Sequence, residues 1–165
     1  MAEERVLRSK LRHYLNTGTV VAPVWSPINR GVGSLSTSFN PEVEEEAGIA
    51  DESATKYTTG LAPETSFDMN RVSGDAANDK LFGLVWARSI GSAADLQLLT
   101  VDMSVLPVGT PPVYNYPAIL DNVNVQYDSI GDDSRKPLKI GIKLGHVGDP
   151  VVGLFELGTM AFAAS

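Results

Sequence analysis

The sequence contains no cysteine, so neither a disulfide nor a thiolate metal site holds its fold together. Histidine is nearly as scarce. His13 lies in a locally basic N-terminal stretch and His146 in Gly145-His146-Val147-Gly148, which reads as a Gly-rich turn. Neither has a partner at the spacing of a metalloprotease or a zinc finger. No G-x-S-x-G elbow accompanies the many serines. Gly31-Val32-Gly33 begins like a dinucleotide loop but runs on through Ser34-Leu35-Ser36 into a strand, leaving no helix N-terminus to receive a phosphate. The acids between residues 42 and 52 do not follow the calcium-loop pattern. No catalytic, metal-binding or cofactor-binding residue is therefore expected, and no cofactor. No apolar run approaches the ~18 residues of a membrane span, and no basic-then-apolar leader opens the chain, so folding in a cytoplasm without membrane insertion is expected. Positive charge is also in short supply: 13 Lys and Arg stand against 20 Asp and Glu, a net charge of -7. That balance argues against adhesive binding of nucleic acid or anionic lipid, whose phosphates are held by Lys and Arg, while repulsion from nucleic acid stays open as a role.

What is present is apolar residue at period two. With 165 residues, 43% of them hydrophobic, the chain can bury one sizeable core, and a single domain over 1–165 is expected. Leu35 and Phe39 alternate with Ser34, Ser36 and Ser38. Phe67 and Met69 stand opposite Glu64, Ser66, Asp68 and Asn70, and Val123, Val125 and Tyr127 opposite Asn122, Asn124, Gln126 and Asp128. Similar alternation runs through Leu99 to Val105 and Leu138 to Leu144, with further strands expected at Thr19 to Trp25 and, closing the chain, at Val151 to Phe162. Such alternation marks half-buried antiparallel strands. One segment breaks it. Between Asp75 and Ser89, Leu81, Phe82, Val85 and Trp86 fall at helical spacing, with Asp75 as N-cap and Gly91 beyond the end. The expected fold is mainly β (α+β), an antiparallel β-sandwich or half-barrel with one flanking helix, in which Phe82 and Trp86 are core.

Two segments stand outside this pattern. Residues 1–18 read as an N-terminal arm, basic through Arg5, Arg8 and Arg12, either frayed or docked on a partner subunit. Residues 40–60 read as a long acidic loop between strands. The part from Asn40 to Lys56 carries Glu42, Glu44, Glu45, Glu46, Asp51 and Glu52 against Lys56 alone, which is -5 of the net -7. An acidic run is ordinarily a solvated loop. This one is far longer than a hairpin needs, and Ile49, Ala54, Tyr57 and Leu61 punctuate or follow it, as on a surface that another chain covers.

The order of Trp25, Gly31-Val32-Gly33-Ser34-Leu35-Ser36, Asn40-Pro41-Glu42-Val43-Glu44-Glu45, Ile49-Ala50-Asp51-Glu52-Ser53-Ala54-Thr55, Thr59-Gly60-Leu61-Ala62-Pro63 and Gly74-Asp75 resembles the tail tube (major tail) proteins of long-tailed bacteriophages and phage-tail-like particles. The likeness is densest from Trp25 to about Val105. It implies a tail-tube type of fold and a structural, non-enzymatic role: hexameric rings stacked into a hollow tube, assembled in the host bacterial cytoplasm and carried in the virion tail. The implied partners are other copies of the chain and the tape-measure, tail-terminator and baseplate or distal tail proteins, with DNA sliding through without specific binding. On that reading Glu42, Glu44, Glu45, Glu46, Ile49, Asp51, Glu52 and Tyr57 form an inter-subunit stacking loop, paired in part with Arg5, Arg8 and Arg12 of the arm. Ser34, Ser36, Ser38, Glu64, Ser66, Asp68 and Asn70 face the lumen, and Lys139 and Lys143 point away from it or are paired with acids. Two other classes fit the same residues. One is the inner tube of a contractile or type VI-like injection particle. The other is a monomeric β-sandwich binding module, for instance for carbohydrate, whose aromatic platform would have to be Tyr114 and Tyr116.

Overall fold

Alternating apolar residues need partners on both sides, and ten strands supply them. In a computed structural model, which describes residues 10–46, 55–110, 113–131 and 135–165, the chain order is β1 (Leu11–Asn16), β2 (Trp25–Pro27), β3 (Val32–Ser38), β4 (Pro41–Glu46), β5 (Thr55–Leu61), β6 (Glu64–Asn70), α1 (Ala76–Trp86), β7 (Asp95–Asp102), β8 (Asn115–Ile130), β9 (Lys139–Glu156) and β10 (Ala161–Ala164). Eight strands form one antiparallel sheet in the order β2-β1-β7-β8-β9-β6-β3, with β10 also on β9; β4 and β5 pair only with each other. The long pair β8–β9 is kinked by register shifts between Leu120 and Asn122 and between Tyr127 and Ser129. Such irregularities bend and twist strands. The sheet curls so far that β1 and β3, five places apart in its order, line the same groove. The architecture is a half-barrel with one helix, as expected from the sequence.

Its two faces bury different things. On the concave side Phe67, Met69, Leu98, Val123, Val125, Ile140, Ile142 and Leu144 pack beneath Ala77, Leu81 and Val85 of α1. At one end of the other side Tyr14, Trp25, Leu99, Val101, Ala118 and Phe155 form a second cluster. Leu98 and Leu99 are neighbours on β7 and belong to different clusters, so β7 is covered on both faces.

The helix begins as expected: Asp75 Oδ1 accepts a hydrogen bond from Asn78 N at 3.0 Å. The polar start Ala76-Ala77-Asn78 has a structural reason. Asn78 is buried, donates through Nδ2 to Asn70 O at 2.8 Å, and accepts at Oδ1 from Val72 N and Arg71 Nη1, both at 3.1 Å. One amide thereby fastens the helix to the end of β6. Arg71 also pairs with Asp79 at 2.6 Å and lies over the Phe82 ring, 4.5 Å from its centre. At the other end Ser89 N bonds to Leu84 O and Arg88 N to Val85 O, a Schellman closure with Arg88 at φ +51° rather than the usual glycine.

Several expectations are corrected. Residues 11–16 are not part of an arm but a strand between β2 and β7. Of Thr19 to Trp25 only Trp25 is in a strand. Gly145-His146-Val147-Gly148 is not a turn but the middle of β9, which runs on to Glu156, so Val151 begins no new strand. The 40–60 loop is instead a hairpin, β4–β5. Trp86 is not core: it is 74% exposed. The buried stripe of α1 runs Ala77, Leu81, Val85, and one residue further on swings about 100° away from it, leaving Trp86 stacked on Phe82 at 5.9 Å.

The Asn78 network yields a stability prediction. Asn78→Ala removes three part-buried hydrogen bonds, leaving Asn70 O and Val72 N without their side-chain partner, and is expected to cost about 2 kcal/mol in urea denaturation, whereas Trp86→Ala costs under about 1 kcal/mol.

Candidate functional site

The β4–β5 hairpin carries no residue of either core cluster. It joins the sheet at a narrow root, where Ala62 N donates to Phe39 O at 3.1 Å and Asn40 Nδ2 to Ala62 O at 3.0 Å, with Asn40 at φ +41°. Pairing partners share a face, so the register sorts its charges. Glu45 lies opposite Lys56 and pairs with it at 3.6 Å, on the face that also holds Val43 and Thr58. Glu44 lies opposite Tyr57 and Glu42 opposite Gly60 on the other face. Among the described residues neither Glu42 nor Glu44 has an ion-pair partner, so one face is apolar and neutralised and the other anionic with one aromatic ring. Glu46 is the last residue of β4; Ile49, Asp51 and Glu52 lie outside the described residues, as do Arg5 and Arg8. Arg12 sits exposed on β1 opposite Val101.

The residues expected on a lumen-facing surface do come together. Ser36 pairs with Ser66 and Ser38 with Glu64 across β3–β6, and Ser36 and Ser66 hydroxyls are 3.3 Å apart. Asn70 lies opposite Lys139, Asp68 opposite Gly141 and Ser66 opposite Lys143 across β6–β9. Ser34, Ser36, Ser66, Asp68, Asp128 and Lys143 border one shallow depression of about 220 Å³. The expectation for the lysines is only half met. Lys139 is paired with Asp68 at 2.8 Å, but Lys143 lies on this same polar face and has no ion pair among the described residues. Strand alternation places both there: positions 139, 141 and 143 oppose 70, 68 and 66. The neighbouring strands extend the face through Asn124 and Gln126 of β8 and Asp95 of β7, which accepts from Asn124 Nδ2 at 2.6 Å. Their alternation was legible in the sequence; their place in the sheet, across β9 from β6, was not.

A third feature lies at the hairpin root. Both histidines border an open groove of about 760 Å³ on the concave side, walled by Leu35, Phe39, Leu61 and Ile119. His146 Nδ1 lies 3.2 Å from Asp121 Oδ1, His146 Nε2 is 3.0 Å from Thr65 Oγ1, and Thr65 Oγ1 is 2.8 Å from Thr37 Oγ1. In a neutral ring, Nδ1–H donates to Asp121, and Nε2 accepts from the Thr65 hydroxyl, which accepts in turn from Thr37. Order alone resembles a nucleophile relay, yet Thr65 is 1% exposed and offers its oxygen to no substrate. What the chain does is brace the root: His146 N also donates to Pro63 O at 3.1 Å, just beyond the hairpin. No sequence spacing signals this, since its members come from four strands. Tyr114 and Tyr116 form no aromatic platform either, because Tyr116 packs against the second core cluster.

No family model matches the sequence, and no curated protein is similar to it. Solved structures are similar in fold. The SPP1 tail tube superimposes with a TM-score of 0.64 at 11% identity, over 90% of this chain and 78% of that one. A chain from the tail of an empty gene transfer agent particle with C6 symmetry gives 0.60 at 9% identity, over 97% and 100%. A chain from the virion of a native gene transfer agent particle gives 0.55 at 10%, over 97% and 100%. The chain has the tail-tube fold. Within this tail-tube fold, hairpin, polar face and groove are separate surfaces on one frame, and the relay ties the first to the third.

If the relay is a brace, its loss is felt in stability. Thr65→Val is expected to cost about 1–3 kcal/mol in chemical denaturation by stranding His146 Nε2 and the Thr37 hydroxyl, while Ser66→Ala next to it stays within about 0.5 kcal/mol.

Proposed function

We propose that the chain is the structural subunit of a tail tube, without enzymatic activity: copies close side by side into a hexameric ring, and rings stack into a hollow conduit carried in a virion tail. The observation that carries this reading is a half-barrel sheet whose outer strands, β2 on one side and β3 on the other, pair with no further strand among the described residues, in a fold that matches tail chains over nearly its whole length. An open edge presents free N–H and C=O groups that template further pairing, and a ring satisfies every such edge without leaving an end. The contact is head to tail, so the curl of each sheet fixes the number of copies that close it.

In this assembly the polar face lines the bore. Its charged residues are Glu64, Asp68, Asp95 and Asp128 against Lys139 and Lys143, a modest negative excess. DNA slides past such a wall without being held, because a grip on phosphates requires cations. The hairpin, with Glu42, Glu44, Glu45, Glu46 and Tyr57, and with Ile49, Asp51 and Glu52 at its tip in sequence, reaches the adjacent ring. Tape-measure, tail-terminator and baseplate proteins meet the tube inside and at its ends, and assembly takes place in the host bacterial cytoplasm.

Negative-stain electron microscopy of the concentrated protein tests the reading: rings or tubes are expected, and a species that stays monomeric at every concentration and ionic strength contradicts it. Replacing Ser36 and Ser66 together by Lys is expected to preserve rings and to confer DNA binding that falls steeply with salt. Rings that gain no DNA binding would remove these serines from the bore.

A further inference from the structure

We propose that the cleft between β1 and β3 is the seat for the anionic face of the β4–β5 hairpin of a second copy. This deepens the stacking reading above and rests on it, by naming the surface the hairpin meets.

The cleft is where the curled sheet fails to close. It holds about 790 Å³ and is walled by Arg12 and His13 of β1, by Ile28, and by Val32 and Leu35 of β3, with Met160 at its side. Its apolar wall is only partly covered: Ile28, Val32 and Leu35 are half-buried. Arg12 lines it, and Lys10 and Arg30 are the sequence neighbours of the lining residues Leu11 and Asn29. All three are exposed and none has an ion pair among the described residues. Elsewhere in the described chain Arg71, Lys139 and Lys56 are engaged by Asp79, Asp68 and Glu45, while Lys80, Arg88 and Lys143, which do not line this cleft, also have no ion pair among the described residues.

The hairpin offers the complement. Glu42 and Glu44 share one face, placing side by side two carboxylates that have no ion pair among the described residues, an arrangement that takes a guanidinium by charge. The other groove is a poorer seat for that face, since it carries Asp121 and Asp149.

Placement on the chain adds an independent argument. The cleft adjoins the first half of β3, at Val32 to Leu35, while the hairpin departs beyond its last residue, Ser38. A molecule with an anionic projection at one end of an edge strand and a cationic cleft at the other makes a contact between unlike surfaces. Such contacts repeat along an axis and generate stacks. The contact is electrostatic at its rim, so it weakens with salt.

The absence of cysteine makes the test direct. Single variants Glu44→Cys and Arg12→Cys are assembled together, oxidised and run on a non-reducing gel. A disulfide-linked dimer is expected from the mixture and not from either variant alone. Tubes that form without that dimer overturn the proposal. Charge reversal separates it from the reading beneath it. Glu42→Lys with Glu44→Lys, and separately Arg12→Glu with Arg30→Glu, are each expected to raise the concentration needed for tubes about tenfold or more, and the mixture of the two to recover most of that loss, with circular dichroism establishing that each variant is folded. If only the hairpin variant is impaired, the hairpin stacks and the cleft is not its seat. If neither is impaired, both ideas fail.

Discussion

A β-sheet that curls without closing ends in outer strands, here β2 and β3, that pair with no further strand among the described residues. Every other feature of this molecule is subordinate to that constraint. The strands β8 and β9, of 16 and 18 residues, are the spine on which the others are ordered, and the register shifts along them bend the sheet. The bend brings β1 and β3 to opposite walls of one cleft without joining them. A tighter curl would have made a closed barrel with no edges and no means of adding a neighbour. The single helix caps one end of the concave side, burying Leu81 and Val85, and among the strands its contacts include β1 and the outer strand β2.

How much of this was legible in the sequence follows from which interactions are local. The N-cap at Asp75 is decided within four residues and was legible. Strands β3, β6, β8 and the first half of β9 were legible because one face of each is wet. β1 was not, for the opposite reason. Tyr14, Leu15 and Asn16 are all buried in succession, so the strand has no alternation to read, and Arg12 with the basic residues that precede it in sequence made it look like an arm. The hairpin was hidden by similar physics: glutamates occupy both faces of β4, and with no buried side a period of two never emerges. His146 was misplaced because flanking glycines suggest a turn. In the fold Gly145 lies against the Gln126 amide, whose Nε2 would be 3.1 Å from a Cβ placed there, a tight contact within a continuous strand.

The polar face holds a further lesson about charge. On the proposed reading, a bore wall that must not hold DNA has no need to be strongly anionic, and heavy negative charge would set carboxylates against each other where copies of that face converge. Lys139, held by Asp68 at 2.8 Å, cancels charge at short range and leaves little field beyond a Debye length of ~8 Å at physiological salt. Lys143 lies across from Ser66 and beside Gln126, in a neighbourhood that also contains Asp68 and Asp128. Its charge is diluted by that neighbourhood even without a direct pair, which keeps a lone lysine compatible with a surface that does not retain phosphates.

The buried relay at the hairpin root is harder to justify by stability alone, because desolvating a carboxylate and an imidazole offsets much of what their hydrogen bonds return. An apolar root would hold the chain together as well. It would not, however, fix direction: apolar contacts tolerate sliding, whereas Asp121, His146, Thr65 and Thr37 satisfy one another in a single arrangement. A projection that leaves the body through a root as narrow as Phe39–Asn40 and Ala62–Pro63 magnifies any rotation there into a displacement at its tip. Directional hydrogen bonds on β6 and β9, immediately beneath that root, restrict the rotation. The relay is therefore best understood as stability exchanged for orientation, placed where, in the proposed assembly, an orientation error would cost most in the contact between copies.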